Sequence, residues 1–284
     1  MFAKKSLGQN FLKSKAALRA MVEAAGIGEG GAAAQQAAQT QGARATILEI
    51  GPGKGALTRA LLDTGTQVIA LEKDDRLIPI LLQDFKTEIA ESRLQILHTD
   101  ALTFDPSEIA NKYNYKIVAN IPYYITGAFF KHYLTSLDQP KTMIVMVQKE
   151  VADRIVARDG KESLLSLSIK CYGTPRKIMN VKKEYFSPEP KVDSAIIAVE
   201  NISRDFFANR SGNYSNFSEE RFFVTLKAGF AHKRKVLIAN LQNLSQELSR
   251  EKLEKIFTKL NIPLKARAED VALPNWREIA REIF

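Results

Sequence analysis

Four short groups of residues have side chains or backbone shapes suited to chemistry. The first is Ile47-Leu48-Glu49-Ile50-Gly51-Pro52-Gly53-Lys54-Gly55, an apolar run that breaks into three glycines. Glycines there let the backbone approach a bound group closely, at the strand edge where open α/β sheets hold their ligands. The second is Glu72, 21 residues after Gly51, whose carboxylate can accept both hydroxyl hydrogens of a ribose. The third is Asp100, whose oxygens can accept the exocyclic amine of an adenine. The fourth is Asn120-Ile121-Pro122-Tyr123, a polar amide, a rigid ring and an aromatic placed directly after an apolar run.

The tetrapeptide resembles the Asn-Pro-Pro-Tyr and Asn-Leu-Pro-Tyr motifs of methyltransferases that act on exocyclic amines of nucleobases. The N6 lone pair of adenine is delocalised into the ring, so the amine is planar and a poor nucleophile. If the Asn120 side-chain oxygen and the Ile121 carbonyl accept its two hydrogens, they favour a tetrahedral nitrogen and stabilise the positive charge that develops there. Pro122 aims the carbonyl, and Tyr123 can stack on the base, which is worth about 1–3 kcal/mol. No strong base is required, because a methylated adeninium amine loses its proton to water; the remainder is positioning. The glycine loop alone leaves two ligands open. Gly51-x-Gly53-x-x-Ala56 satisfies the relaxed dinucleotide fingerprint, whereas Gly51-x-Gly53-x-Gly55 fits the S-adenosylmethionine loop of Rossmann-like methyltransferases.

The elements that must position these groups alternate. Apolar runs at 46–50, 67–71, 94–97, 115–119 and 142–147 read as buried strands, with helical stretches near 56–63, 75–90, 126–137 and 148–157 between them. That alternation predicts a parallel sheet covered by helices on both faces. Before it, Ser14 caps an amphipathic helix over 14–25; residues 28–45, rich in Gly, Ala and Gln, read as a surface insertion. After it come a helix over 163–172 and strand-like runs at 177–183 and 192–199. The polar segment 201–217 reads as a linker, and from Ser218 onward the pattern is helical. The expected organisation is an α/β Rossmann-like domain over 1–200 and a small all-helical C-terminal domain over 201–284.

With these residues in hand, the chain resembles the bacterial small-subunit (16S) ribosomal RNA adenine dimethyltransferases, which make N6,N6-dimethyladenosine at two adjacent adenosines near the 3′ end of that RNA. Gly8-Gln9-Asn10-Phe11-Leu12, Glu49 to Gly55, Asn120 to Ile125 and Phe186 to Ser194 match family blocks in order. The resemblance implies that Asn10, Leu12, Gly51, Glu72, Asp100 and Asn120 hold S-adenosylmethionine. It also implies that Phe186 faces the target adenine opposite Tyr123, making Asn120, Tyr123 and Phe186 the catalytic set. By residue type alone, Asn10 reads as a cap, Leu12 and Phe186 as core, and His232 to Lys235 as a solvated charge cluster. The family's basic helical segment corresponds to Arg221-Phe222-Phe223 through Lys233-Arg234-Lys235. Two features depart from the pattern: the length of the 28–45 insertion, and Gly127 where a small hydroxyl residue is common.

Composition narrows the field. Over 284 residues the net charge is +9; the first 20 residues hold five basic side chains and no acid, and 201–284 hold 15 basic against 10 acidic. The surplus lies at the chain ends, flanking a nearly neutral middle, which predicts ends that hold RNA phosphates. No window approaches 18 consecutive apolar residues, and one cysteine, Cys171, excludes a disulfide framework. Neither it nor the three histidines has metal-site spacing. The expectation is a cytoplasmic, monomeric enzyme without metal or membrane, acting on 16S rRNA within the small subunit or its precursor. The rivals are a large-subunit (23S) adenine methyltransferase of the macrolide-resistance type, a non-catalytic assembly factor, and a nicotinamide-dependent oxidoreductase.

Overall fold

The computed structural model describes residues 8–27, 45–109, 114–208, 217–245 and 248–284. Most of the Gly/Ala/Gln insertion, and Lys4 and Lys5, lie outside these. The chain forms two compact units, Met1–Ala152 with Thr174–Ile202, and Asp153–Gly173 with Ser203–Phe284.

In the first unit, β1 (Phe11–Leu12) is followed by α1 (Lys15–Ala24), where Ser14 caps the helix by accepting from the Ala17 N–H. Then come β2 (Thr46–Ile50), α2 (Ala56–Leu62), β3 (Val68–Glu72), α3 (Ile78–Asp84), α4 (Lys86–Ala90), β4 (Leu94–His98), β5 (Tyr115–Asn120), α5 (Thr126–Leu134) and β6 (Met143–Gln148). The predicted helix over 75–90 is two helices, because Phe85 leaves helical geometry at φ −119° and ψ 22°. The seven-stranded sheet has the order β4-β3-β2-β5-β6-β9-β7, with β7 at Thr174–Val181 and β9 at Ser194–Glu200. The strands β2 to β6 are parallel, as expected of apolar runs buried on both faces. The two later strand-like runs add an antiparallel edge to this parallel sheet: β9 runs antiparallel to both β6 and β7. Only residues 182–193 join β7 to β9, and the regular structure in that segment is a 3₁₀ turn and a two-residue strand. It holds no crossover helix of the kind a parallel pair needs. A short pair of β1 with β8 (Phe186–Ser187) lies outside the main sheet.

The second unit contains α7 (Leu164–Lys170), α8 (Glu219–Gly229), α9 (Leu237–Leu241), α10 (Arg250–Lys259) and α11 (Leu273–Ile283), while α6 (Lys149–Ile155) spans the division. Ser218 caps α8 by accepting from the Arg221 N–H, with Glu219 and Glu220 at its positive end. Trp276 is fully enclosed, stacks on Phe230 at 5.6 Å, and lies so close to Gly229 that a Cβ there would come within 2.9 Å of its ring.

Two expectations change here. A boundary at 200/201 assigns residues 153–173 to the first domain, yet they group with the second unit. The Glu162 N–H donates to the Glu269 carbonyl (2.8 Å), and the Ser203 N–H donates to the Tyr172 carbonyl (2.8 Å). Nor is 201–217 a bare linker: Phe206 and Phe207 pack edge-on against Phe222, at 5.1 and 5.7 Å.

Candidate functional site

The four groups meet because of the order of the strands. The chain steps outward from β2 to β3 to β4, then returns on the other side of β2 as β5. The carboxyl ends of β2 and β5 thus diverge at a topological switch point, where open α/β sheets bind ligands. Ile50 is in register with Leu71 on one side and Ala119 on the other, so Gly51, Glu72 and Asn120 follow on one edge. A cavity of ≈ 190 Å³ opens there, lined by residues 8–11, 50, 51, 53, 71–73, 99–102 and 120–125.

The glycine loop is shaped for close approach. Gly53 (φ +60°) and Gly55 (φ +78°) both lie in left-handed geometry. A Cβ on Gly53 would sit 3.0 Å from the Phe11 ring, and one on Gly55 would sit 2.7 Å from Phe85 Cζ and nearer still to Cε2. Phe11 therefore rides over the loop, with Lys54 Nζ 5.1 Å from its ring centre. Beside it, the largely buried Glu72 braces the loop: Oε2 accepts the Gly53 N–H at 3.1 Å and Oε1 the Asp74 N–H at 2.8 Å. Burial raises its pKa, and those two donors offset part of the shift.

Asp74, itself buried, ties the N-terminal segment to this edge. It accepts from Gln9 Nε2 (2.7 Å) and, bidentately, from Arg76 Nε (2.8 Å) and Nη2 (2.6 Å). The Arg76 hydrogen bonds hold its carboxyl well below the usual carboxylate range. At the end of β4, Asp100 accepts from Leu102 N–H (3.0 Å) and Lys73 Nζ (2.6 Å). Its partial burial acts to raise the pKa, but these donors outweigh burial and the net shift is downward. Asp100 thus remains an anionic acceptor at neutral pH.

Asn120 ends β5. Its Nδ2 donates to the Asn10 carbonyl at 3.2 Å, and Asn10 Nδ2 in turn donates to the Gly8 carbonyl at 3.2 Å. The amide nitrogen of Asn120 is thereby committed, which assigns Oδ1 as its acceptor atom. Tyr123 is held by its hydroxyl, 2.6 Å from the buried Ser194 Oγ; burial pushes the phenol pKa up and Ser194 opposes this. Of the sequence-derived residues, Asn10, Gly51, Glu72, Asp100, Asn120 and Tyr123 line the cavity. Leu12 and Phe186 do not: they pair with each other across β1 and β8, at 7% and 2% exposure, within the apolar core. Sequence reading did not single out Asp74, Lys73 or Ser194. The first two follow Glu72 directly in sequence, and Ser194 closes the Phe186 block.

Beneath the loop, Glu49 is fully enclosed, with Thr58 beside its carboxylate. Burial pushes its pKa up to about 8; the neighbouring Thr58 hydroxyl moderates this and the charge of Glu72 adds to it.

Fold and site together have the layout of a Rossmann-like methyltransferase. The profile of the family described as "Ribosomal RNA adenine dimethylase" matches residues 2–283, and the chain belongs to that family. Among similar proteins, "Ribosomal RNA small subunit methyltransferase A" of Dehalococcoides mccartyi (strain CBDB1) is 36% identical over 99% of this chain and 88% of its own length. The protein of the same name from Enterococcus faecalis is 36% identical over 99% and 90%. Similar solved folds include a dimethyladenosine transferase from Plasmodium falciparum (TM-score 0.73, 22% identity, 95% of each chain) and the 23S rRNA methyltransferase ErmE (TM-score 0.71, 23% identity, 96% and 99%). Among the described residues no helix is long and apolar enough to cross a membrane, and no group of three or more His, Cys, Asp or Glu could hold a metal.

Proposed function

We propose that this chain transfers methyl groups from S-adenosylmethionine to N6 of two adjacent adenosines near the 3′ end of small-subunit ribosomal RNA, giving N6,N6-dimethyladenosine. The observation that carries the reading is the Asn120 amide, its nitrogen committed to Asn10 and its oxygen left as acceptor, beside a loop that only glycines can form. Packing against Phe11 and Phe85 leaves no room for a Cβ at Gly53 or Gly55, and the side-chain-free backbone of Gly51 and Gly53 is what this loop presents to the cavity. Gly51, Glu72, Asp100, Asn10 and Asn120 would hold S-adenosylmethionine, with Glu72 toward the ribose hydroxyls and Asp100 toward the adenine amine. When bound, it supplies an electrophilic methyl group on a sulfonium. Membership of the dimethylase family favours this ligand over a dinucleotide.

Asn120 Oδ1 and the Ile121 carbonyl accept the N6 hydrogens of the target and turn its lone pair out of the ring. Tyr123, fixed through Ser194, stacks on the base, and the proton leaves to water. Leu12 would back the cofactor pocket, and Phe186 would form the second face of the base slot. At 2% exposure its ring must first be uncovered for that contact. The bases must be unstacked to enter, so the target lies in a loop or single-stranded region. The exposed stretch 231–236, carrying Lys233, Arg234 and Lys235, would hold phosphates. The enzyme would work as a cytoplasmic monomer, which size-exclusion chromatography with light scattering would check.

The test is mass spectrometry of ribosomal RNA after incubation of the purified protein and S-adenosylmethionine with unmethylated small subunits, or with large subunits. Dimethyladenosine in the small-subunit RNA is expected. Product in the large-subunit RNA alone would move the assignment to the 23S branch, and no product in either would leave an assembly factor. Asn120→Ala should lower the transfer rate at least about 100-fold, as removal of an electrostatic donor or acceptor to a charge-developing centre does.

A further inference from the structure

Tyr123 and Tyr124 are consecutive in one 3₁₀ turn (Tyr123–Ile125), yet they meet opposite fates. Tyr123 is anchored by its hydroxyl to the buried Ser194, whereas Tyr124 is 67% exposed although it too lines the cavity. A tyrosine left so open has no folding reason to be there: its phenol ring buries little area, so a smaller polar residue would do as well. On one side it lies against the N-terminal backbone. Gly8, at φ +60°, lies so close that a Cβ on it would be 3.3 Å from Tyr124 Cε1 and 3.4 Å from Cδ1. That contact props the ring from one side at the mouth of the cavity. Lys73, exposed and near enough to interact electrostatically with Tyr124, adds a cation to the same rim.

We infer that Tyr124 is a stacking platform for the nucleotide flanking the target, so that the enzyme grips two successive bases, one inside on Tyr123 and the next outside on Tyr124. The inference rests on the adenine-methylation reading above and deepens it by naming a specificity element for the RNA strand. Aromatic rings on consecutive residues, one inward and one outward, suit a single strand whose bases have been splayed apart. Stacking is tolerant of base identity because every base has a π face. The platform thus selects an unpaired step next to the target rather than a particular neighbour. It also suits a substrate with two adjacent target adenosines, since the outer base in one round can be the inner base in the next.

The experiment measures steady-state methylation of unmethylated small subunits, and S-adenosylmethionine binding by calorimetry, for wild type, Tyr124→Ala, Tyr124→Leu, Tyr124→Phe and Asn120→Ala. Leucine keeps an apolar group against Gly8 but has no π face. Tyr124→Ala and Tyr124→Leu should raise the KM for subunits about 5- to 100-fold, the range expected for loss of one stacked base. Their cofactor Kd should stay within two-fold of wild type, and Tyr124→Phe should restore KM to within two-fold. A KM unchanged in Tyr124→Ala, a Tyr124→Leu variant equal to wild type, or a cofactor Kd weakened in parallel with KM would overturn the inference. If Tyr124→Ala matches wild type while Asn120→Ala is inactive, the platform fails alone. If Asn120→Ala retains activity, the reading beneath it fails.

Discussion

Gly55 is the position where a single added carbon should do most damage, and the structure allows the damage to be estimated in parts. Its φ of +78° costs a non-glycine residue about 1–2 kcal/mol. An alanine Cβ would also overlap the Phe85 ring, reaching 2.7 Å from Cζ, with Leu81 Cδ2 at 3.4 Å behind. Phe85 cannot retreat easily. It is 3% exposed and the Arg59 guanidinium lies over its ring, 4.4 Å from the centre and itself paired with Glu88. Overpacking of this kind costs about 1–3 kcal/mol, so Gly55→Ala should lose about 2–5 kcal/mol in all. Urea unfolding monitored by circular dichroism, with an unchanged m-value, measures it. The overlap share is separable. In a Phe85→Leu background the ring is gone, and Gly55→Ala should cost at least about 1 kcal/mol less than in wild type. Gly127→Ala is the control: nothing lies within 4 Å of its added carbon, and a helical Gly→Ala change there should be neutral or stabilise by up to about 1 kcal/mol. A loss below about 1 kcal/mol for Gly55→Ala, or an equal loss in both backgrounds, would refute the collision.

Glu49→Gln should flatten the alkaline decline of stability. Because folding raises the Glu49 pKa from 4.5 to about 8, the native state keeps a proton that the unfolded chain releases, and stability falls as pH rises through that window. The variant should match wild type near pH 4 and exceed it by about 2–5 kcal/mol at pH 8 in urea titrations; parallel curves would rule out a protonated Glu49. Tyr123→Phe leaves the ring but strands the Ser194 hydroxyl at 0% exposure, so it should cost about 1–3 kcal/mol of stability and less than ten-fold in methylation rate. Tyr123→Ala, which loses the ring, should cost far more in rate; equal rates for the two would remove stacking from the account. Replacing Lys233, Arg234 and Lys235 together by Gln should reduce the slope of log affinity for RNA against log salt by about 2. An unchanged slope would place the phosphate contacts elsewhere.

Much of this was legible in the residues themselves. Strand β2, the glycine turn and the start of α2 are local events, written in an apolar run, three glycines and a helical period, and they appear within a residue or two of where the sequence puts them. Asn120, Glu72 and Asp100 could be named because each follows an apolar run, and runs that alternate with helices end on the same edge of a parallel sheet.

Tertiary structure decided what no local rule reaches. Residues 153–157 and 163–172 are helical by pattern, but the place of 153–173 in the second unit depends on hydrogen bonds to residues 30 to more than 100 positions away, such as Glu162 to Glu269. Strand β9 was legible only as a strand-like run, and its antiparallel direction is a matter of connection length and pairing rather than composition. Which amide atom of Asn120 is the acceptor depends on Asn10, 110 residues earlier. The Tyr-Tyr pair makes the same point most plainly. Two identical neighbours carry the same propensities, and only the hydroxyl of Ser194 on β9 and the backbone of Gly8 on the N-terminal segment turn one ring into the wall and leave the other in solvent. Sequence alone determined the kind of chemistry, because chemistry depends on residue type. Which atoms point at the reaction depended on partners brought together by the sheet order, and that order is a property of the whole chain.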